Sequence, residues 1–192
     1  MFWDCKDIFS GMYILAGFSD KLRLMNLLID DIKTFREFKF KNSTSCSFSC
    51  GGHLLAAVSH NKIAIFSSVN FKNMVNLNGH DGKVTSITWS KDDQFLVSCA
   101  EDGSLYQWDV AEGKRIHETV MKQCAYNDVS IDPGNSGIIY AVGSDKTIKQ
   151  IKESQILKEV DLHTITLSSV ALSHGGTMLF TGGSTGEKLH LF

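Results

Sequence analysis

Apolar and polar residues alternate along this chain in short stretches separated by small polar turns. The clearest case is Val84-Thr85-Ser86-Ile87-Thr88-Trp89-Ser90, then Phe95-Leu96-Val97-Ser98, then Leu105-Tyr106-Gln107-Trp108-Asp109. The last two are joined through Glu101-Asp102-Gly103. A period of two between Asp/Gly-rich turns predicts three short strands. The pattern returns at 17–25, 58–66, 143–151 and 182–192. Each copy closes on a bulky residue, Met25, Phe66, Trp108, Ile151 and Phe192, at separations of 41, 42, 43 and 41 residues.

A regular period near 42, built from short strands, predicts the blades of a β-propeller. Helical solenoids of similar period need apolar residues at i, i+3 and i+4 over long stretches, and the chain has none. The expected fold is therefore all-β: a single segment of about five blade units at approximately 1–42, 43–78, 79–120, 121–161 and 162–192.

Gly79-His80 followed by Trp108-Asp109 resembles the WD40 repeat. The resemblance implies four-stranded blades and, in well-formed repeats, a buried polar relay. Carried over residue by residue, the relay is His80 before the first strand, Ser98 on the second, Asp102 in the following turn and Trp108 on the third. The expected order is indole N–H to hydroxyl, hydroxyl to imidazole, and imidazole N–H to carboxylate. A catalytic Ser-His-Asp reading is weaker, because such a relay is expected to be buried. The fourth unit keeps Asp145 but has Ile151 for the tryptophan, and the second offers His60 and Phe66. Both are expected to depend on apolar packing.

The runs at 17–38, 46–58, 79–115 and 140–151 further resemble a group of WD-repeat proteins of ciliary and flagellar axonemes. That resemblance implies a scaffold that docks or regulates inner dynein arms, with axonemal dynein or doublet-microtubule components as partners. Proteins of that group are long, with two propellers and a coiled coil, whereas this chain has five units and no heptads. It starts in its first blade and stops after a third strand. The expectation is thus an open arc of a larger, seven-bladed propeller that needs further blades or another chain to close. Partner contacts are expected in the turns carrying Asp20, His60, Asn61, Asp81, Lys83, Glu101, Asp145, Lys146 and Thr185. The rival readings are a generic cytoplasmic WD40 adaptor, such as one serving a ubiquitin ligase, and a hydrolase using Ser184.

Composition narrows the field. With 43% apolar residues and a net charge of −2, the chain is neither disordered nor generally attracted to nucleic acid or anionic lipid. No apolar run approaches the roughly 20 residues that span a bilayer, and Met1 to Ile8 does not read as a secretory signal. Five scattered cysteines fit reduced thiols in the cytoplasm. Cys46, Cys50, His53 and His60 could be read as zinc ligands, but their spacing fits no common finger and the repeat places them on different elements. Asn42-Ser43-Thr44 forms a sequon that reads as a polar connector. Gly182-Gly183-Ser184-Thr185-Gly186 matches a nucleophile elbow, yet falls where a strand–strand turn is expected. Gly79 to Lys83 lacks the spacing of a phosphate loop. No cofactor or metal is expected. Lys33, Arg36, Lys39 and Lys41, interleaved with Phe35, Phe38 and Phe40, read as a solvated edge strand whose charges deter pairing, or else as a basic edge for an acidic surface such as tubulin.

Overall fold

The computed structural model describes residues 2–8, 11–134, 136–161, 166–183 and 188–191. Nineteen strands form five antiparallel sheets, and no helix occurs among the described residues. The first sheet holds β1 (Phe2–Ile8), β2 (Gly11–Gly17), β3 (Leu22–Leu27) and β4 (Ile32–Phe38). The second holds β5 (Ser43–Phe48), β6 (Leu54–Ser59), β7 (Lys62–Ser67) and β8 (Asn73–Asn78). In the third are β9 (Val84–Trp89), β10 (Phe95–Ala100), β11 (Ser104–Asp109) and β12 (Lys114–Val120). The fourth comprises β13 (Tyr126–Ile131), β14 (Ile139–Gly143), β15 (Thr147–Lys152) and β16 (Gln155–Asp161). Three strands, β17 (Leu167–Leu172), β18 (Leu179–Gly183) and β19 (Lys188–Leu191), make the fifth. Every sheet is a meander in chain order, as short strands joined by tight turns dictate. The chain divides into two compact units, Met1–Gly79 and His80–Phe192.

Within each unit the cores lie between successive sheets. In the first unit Leu15, Leu22, Leu24 and Phe38 meet Cys46, Phe48, Leu55 and Phe66. In the second, Val97, Cys99 and Leu105 meet Tyr126, Val129, Ile139 and Ile151. Val142 and Ile148 meet Leu167, Val170 and Leu179. Side chains also tie the first strands together. Thr85 Oγ1 donates to the Tyr126 carbonyl at 2.9 Å, and Asn127 Nδ2 to the Leu167 carbonyl at 2.6 Å. Asp128 Oδ2 accepts the Val170 N–H at 2.8 Å. Burial pushes the Asp128 carboxyl above the usual range, against its hydrogen bonds from Ser86, Val170 and Val129.

The periodic bulky residue has a backbone meaning. Register shifts between the third and fourth strands fall at Leu24/Met25, Ile65/Phe66, Gln107/Trp108 and Gln150/Ile151. Opposite each shift the fourth strand carries one extra residue, a β-bulge. By register these residues are Phe35, Met74, Ile116 and Leu157, exposed at 50%, 61%, 42% and 53%. The basic run is only partly a strand: Lys33 and Arg36 lie on β4, whereas Lys39 and Lys41 follow it. Phe38 is core, Phe40 packs against the core, and the Arg36 guanidinium lies 5.5 Å from the Phe71 ring centroid.

The β15–β16 turn is Glu153-Ser154, with φ of 47° and 69°. Two left-handed residues suit a two-residue hairpin, but Glu is a poor occupant of that region. Ser154 Oγ accepts the Glu118 N–H at 3.2 Å, which ties this turn to β12. Replacing Glu153 with Asn, which tolerates left-handed backbone, is expected to stabilise the chain by about 1 kcal/mol. Thermal unfolding should then show a midpoint about 2–4 °C higher. An unchanged or lower midpoint would show the turn to be unstrained.

Candidate functional site

Two buried polar centres and a set of exposed turns hold most of the candidate chemistry. The first centre is in the third sheet. Trp108 Nε1 donates to Ser98 Oγ at 2.8 Å, and Ser98 Oγ lies 2.6 Å from His80 Nε2. The other imidazole nitrogen, Nδ1, lies 2.7 Å from Ser104 Oγ, which donates to Asp102 Oδ1 at 2.5 Å. Asp102 also accepts the Ser104 N–H at 2.9 Å and the Gly82 N–H at 2.7 Å. The relay thus differs from the sequence expectation: the connection from imidazole to carboxylate runs through the Ser104 hydroxyl, a residue that reading omitted. Register explains the omission. Ser104 opens β11, and only the fold of the preceding turn brings its hydroxyl under His80.

Proton counting fixes the direction. A carboxylate only accepts, so Ser104 donates to Asp102 and accepts from His80 Nδ1–H. Nε2 is then the acceptor for the Ser98 hydroxyl, which takes the indole proton on its oxygen. This order needs a neutral imidazole. Burial pushes His80 down to about 4; the Asp102 and Asp81 charges oppose the shift, and Arg115 favours it. Tyr106 stacks on His80 with centroids 4.2 Å apart, and the Arg115 guanidinium lies 4.4 Å from the Tyr106 centroid. Burial alone would raise the Asp102 carboxyl, but the hydrogen bonds from Ser104 and Gly82 outweigh it and hold it below the usual range. Ser98 is fully buried, so its hydroxyl is out of reach of a substrate. Gly103 permits the turn twice over: its φ is +79°, and a Cβ would collide with the Met121 and Cys124 carbonyl oxygens.

The fourth sheet keeps the carboxylate and changes its partner. Lys149 is fully buried and takes the register that Tyr106 has in the third sheet, opposite Ala141 where Tyr106 faces Ser98. Its ammonium pairs with Asp145, donates to Thr147 Oγ1 at 2.5 Å and lies 3.4 Å from Glu159 Oε1. Cys124 Sγ is 4.0 Å away, and the Tyr126 ring centroid 5.7 Å. Purely apolar packing was expected here, and Lys149 corrects that. Alternation on β15 points the residue inward, but a lysine within a strand normally reads as solvated, so only the nearby Asp145 could have signalled it. Burial raises Asp145, yet the Lys149 hydrogen bond and charge override this and leave its carboxyl below the usual range. Burial also raises the thiols: Cys124 moves up and Cys99 reaches about 12.

The remaining sequence-selected residues are dispersed. Asp20 is exposed in the β2–β3 turn, 3.8 Å from Lys21. His60, at φ 55°, and Asn61 form the β6–β7 turn. Asp81 is exposed, and Lys83 pairs with Glu101 at 3.2 Å. Lys146, at φ 63°, takes the left-handed place of Gly103. Ser184 and Thr185 lie outside the described residues. Cys46 faces the core and donates to the Leu15 carbonyl at 3.6 Å, whereas Cys50, His53 and His60 are exposed. Among the described residues no group of three or more His, Cys, Asp or Glu is placed to hold a metal ion.

Five meander sheets repeating every 42 or so residues define an all-β, propeller-type class of protein. Residues 71–109 match the family described as WD domain, G-beta repeat. That stretch is a repeat of the WD40 type. It is 49% identical over 177 residues to cilia- and flagella-associated protein 57 of Mus musculus, which covers 92% of this chain and 14% of that protein. It is 34% identical over 197 residues to cilia- and flagella-associated protein 57 C of Tetrahymena thermophila, across 90% of this chain and 15% of the relative. A third relative, cilia- and flagella-associated protein 57 A of the same organism, is 35% identical over 102 residues, 53% of this chain and 8% of that protein. The chain therefore spans about a seventh of the length of the first two.

Two expectations follow. His80 titrates near 6.5 when unfolded and about 4 when folded, so the unfolded state binds the extra proton between those values. Unfolding free energy should fall as pH drops through that window, by about 3 kcal/mol in all. Urea titrations across it should show the loss in the parent and a shallower one in His80→Gln. In the fourth sheet, Lys149→Met leaves Asp145 without its cation and should destabilise by about 3 kcal/mol. Adding Asp145→Asn should recover part of that; a double variant as unstable as the sum of the singles would mean the two groups do not interact.

Proposed function

We propose that this chain is a non-catalytic WD-repeat scaffold of the ciliary or flagellar axoneme, helping to dock or regulate inner dynein arms and so ciliary motility. The observation that carries this reading is the reach of the similarity. It extends over 92% of the chain at 49% identity, well beyond residues 71–109 where the general repeat matches. The names of the three relatives put them in cilia and flagella, and the localisation proposed here is the same: cytoskeletal, within the cilium or flagellum.

The geometry supports a binding role. Ser98 is engaged and buried, His80 is held neutral, and the buried thiols Cys99 and Cys124 are held protonated. Exposed chemistry lies instead in turns. Those carrying Asp20, His60, Asn61, Asp81, Lys83, Glu101, Asp145 and Lys146 supply partner contacts in this reading, and Thr185 belongs to the same set. Asp145 contributes through the turn it shapes, since Lys149 already takes its carboxylate. The partners are axonemal dynein or doublet-microtubule proteins. A net charge of −2 favours neither nucleic acid nor an anionic membrane, and no helix among the described residues is long and apolar enough to cross one.

Expression of the tagged chain in a ciliated cell, followed by detergent extraction of isolated cilia, tests this directly. Retention on demembranated axonemes is the expected result. Quantitative release into the detergent-soluble fraction would favour a soluble WD40 adaptor instead.

A further inference from the structure

A cleft opens between the fourth and fifth sheets, within the second unit, and holds about 150 Å³. Cross-strand register builds its wall. Tyr140, Gln150 and Lys158 stand opposite one another on β14, β15 and β16, and Val142, Ile148 and Val160 form the next row. Two residues along a strand share a face, so both rows face the fifth sheet, where the paired Leu172 and Leu179 close the far side. The lip is low because the β17–β18 turn runs through Gly175-Gly176-Thr177. Gly176 lies against Asp132, whose carboxylate a Cβ would meet at 2.6 Å, so this lip does not readily gain a side chain.

Tyr140, Gln150 and Lys158 add polar side chains to this lining, and among the described residues no hydrogen bond or ion pair engages their hydroxyl, amide or ammonium. An apolar cleft with a few convergent polar groups is the usual form of a recognition site. A volume of about 150 Å³ matches the size of apolar cavity that takes one benzene ring. Among the described residues that line the cleft, Lys158 is the one charged side chain, and it favours a carboxylate over an ammonium there.

We propose that this cleft is a docking site for a partner polypeptide, taking one aromatic side chain between Ile148, Val160, Leu172 and Leu179 while Lys158 pairs with the carboxylate of an adjacent Asp or Glu. Gln150 and Tyr140 donate to the same carboxylate or to the neighbouring peptide carbonyl. The site lies on the flank between two sheets, away from the turns invoked above, and it stands whether or not the chain works in a cilium.

The test uses the whole 192-residue chain and three capped dipeptides, N-acetyl-Phe-Asp-amide, N-acetyl-Phe-Asn-amide and N-acetyl-Phe-Lys-amide, titrated by amide NMR shifts. A fragment this small is expected to bind with a Kd on the order of 1 mM. The Asp probe should shift the Ile148, Gln150, Lys158 and Leu179 amides and bind about fivefold more tightly than the Asn probe. Thr177→Trp, which covers the lip from an exposed position, should abolish those shifts. Lys158→Glu, a change on an exposed strand, should reverse the order of the Asp and Lys probes. No shifts at tens of millimolar would overturn the proposal. So would equal binding of all three probes, or shifts that survive Thr177→Trp.

Discussion

A four-stranded antiparallel sheet has two faces, and a strand order of chain neighbours leaves both uncovered. Burying them requires another sheet at a fixed spacing and registration, because a slip of one residue turns the apolar set outward. Within each compact unit that constraint accounts for nearly all that is observed. Leu15 and Leu24 need Phe48 and Phe66 across from them, and Val97 and Leu105 need Tyr126 and Ile139. The side-chain ties from Thr85, Asn127 and Asp128 to backbone atoms of the next first strand hold that registration where the sheets come closest.

The same constraint creates a polar problem, to which the third and fourth sheets give different answers. The turn between the second and third strands presents an aspartate, Asp102 or Asp145, to a half-buried region. A carboxylate there must be satisfied by donors or a cation. The third sheet uses a neutral hydrogen-bonded chain from indole to hydroxyl to imidazole to hydroxyl, which consumes every donor it has. The fourth has alanine at the Ser98 register and isoleucine at that of Trp108, so no such chain can form, and an ammonium from Lys149 takes its place. One solution is directional and charge-poor. The other is compact and ionic, and depends on keeping two opposite charges together.

What could be read from the sequence follows the same division. The period survives because Met25, Phe66, Trp108 and Ile151 each sit at a backbone bulge, a local event with a local residue preference. Strand positions and turn ends are likewise local. Ser104 and Lys149 were not legible as site residues, since their roles depend on which strand lies opposite and at what offset. Nor was the cleft beside Lys158, which exists only because two sheets meet over a turn of Gly175 and Gly176. The zinc reading fails on the same ground: neighbours in sequence, Cys46 and Cys50, are divided between core and solvent.

The bulges on β4, β8, β12 and β16 bear on what these strand edges can pair with. A fourth strand of even pleat would offer a continuous ladder of unpaired N–H and C=O groups, a template on which a second molecule could extend the sheet. One surplus residue shifts the hydrogen-bonding phase midway along, so an incoming strand that matches one half is out of step with the other. The apolar side chain left in water at each of those positions is thus tolerated beside an edge that a straight strand from another molecule cannot follow.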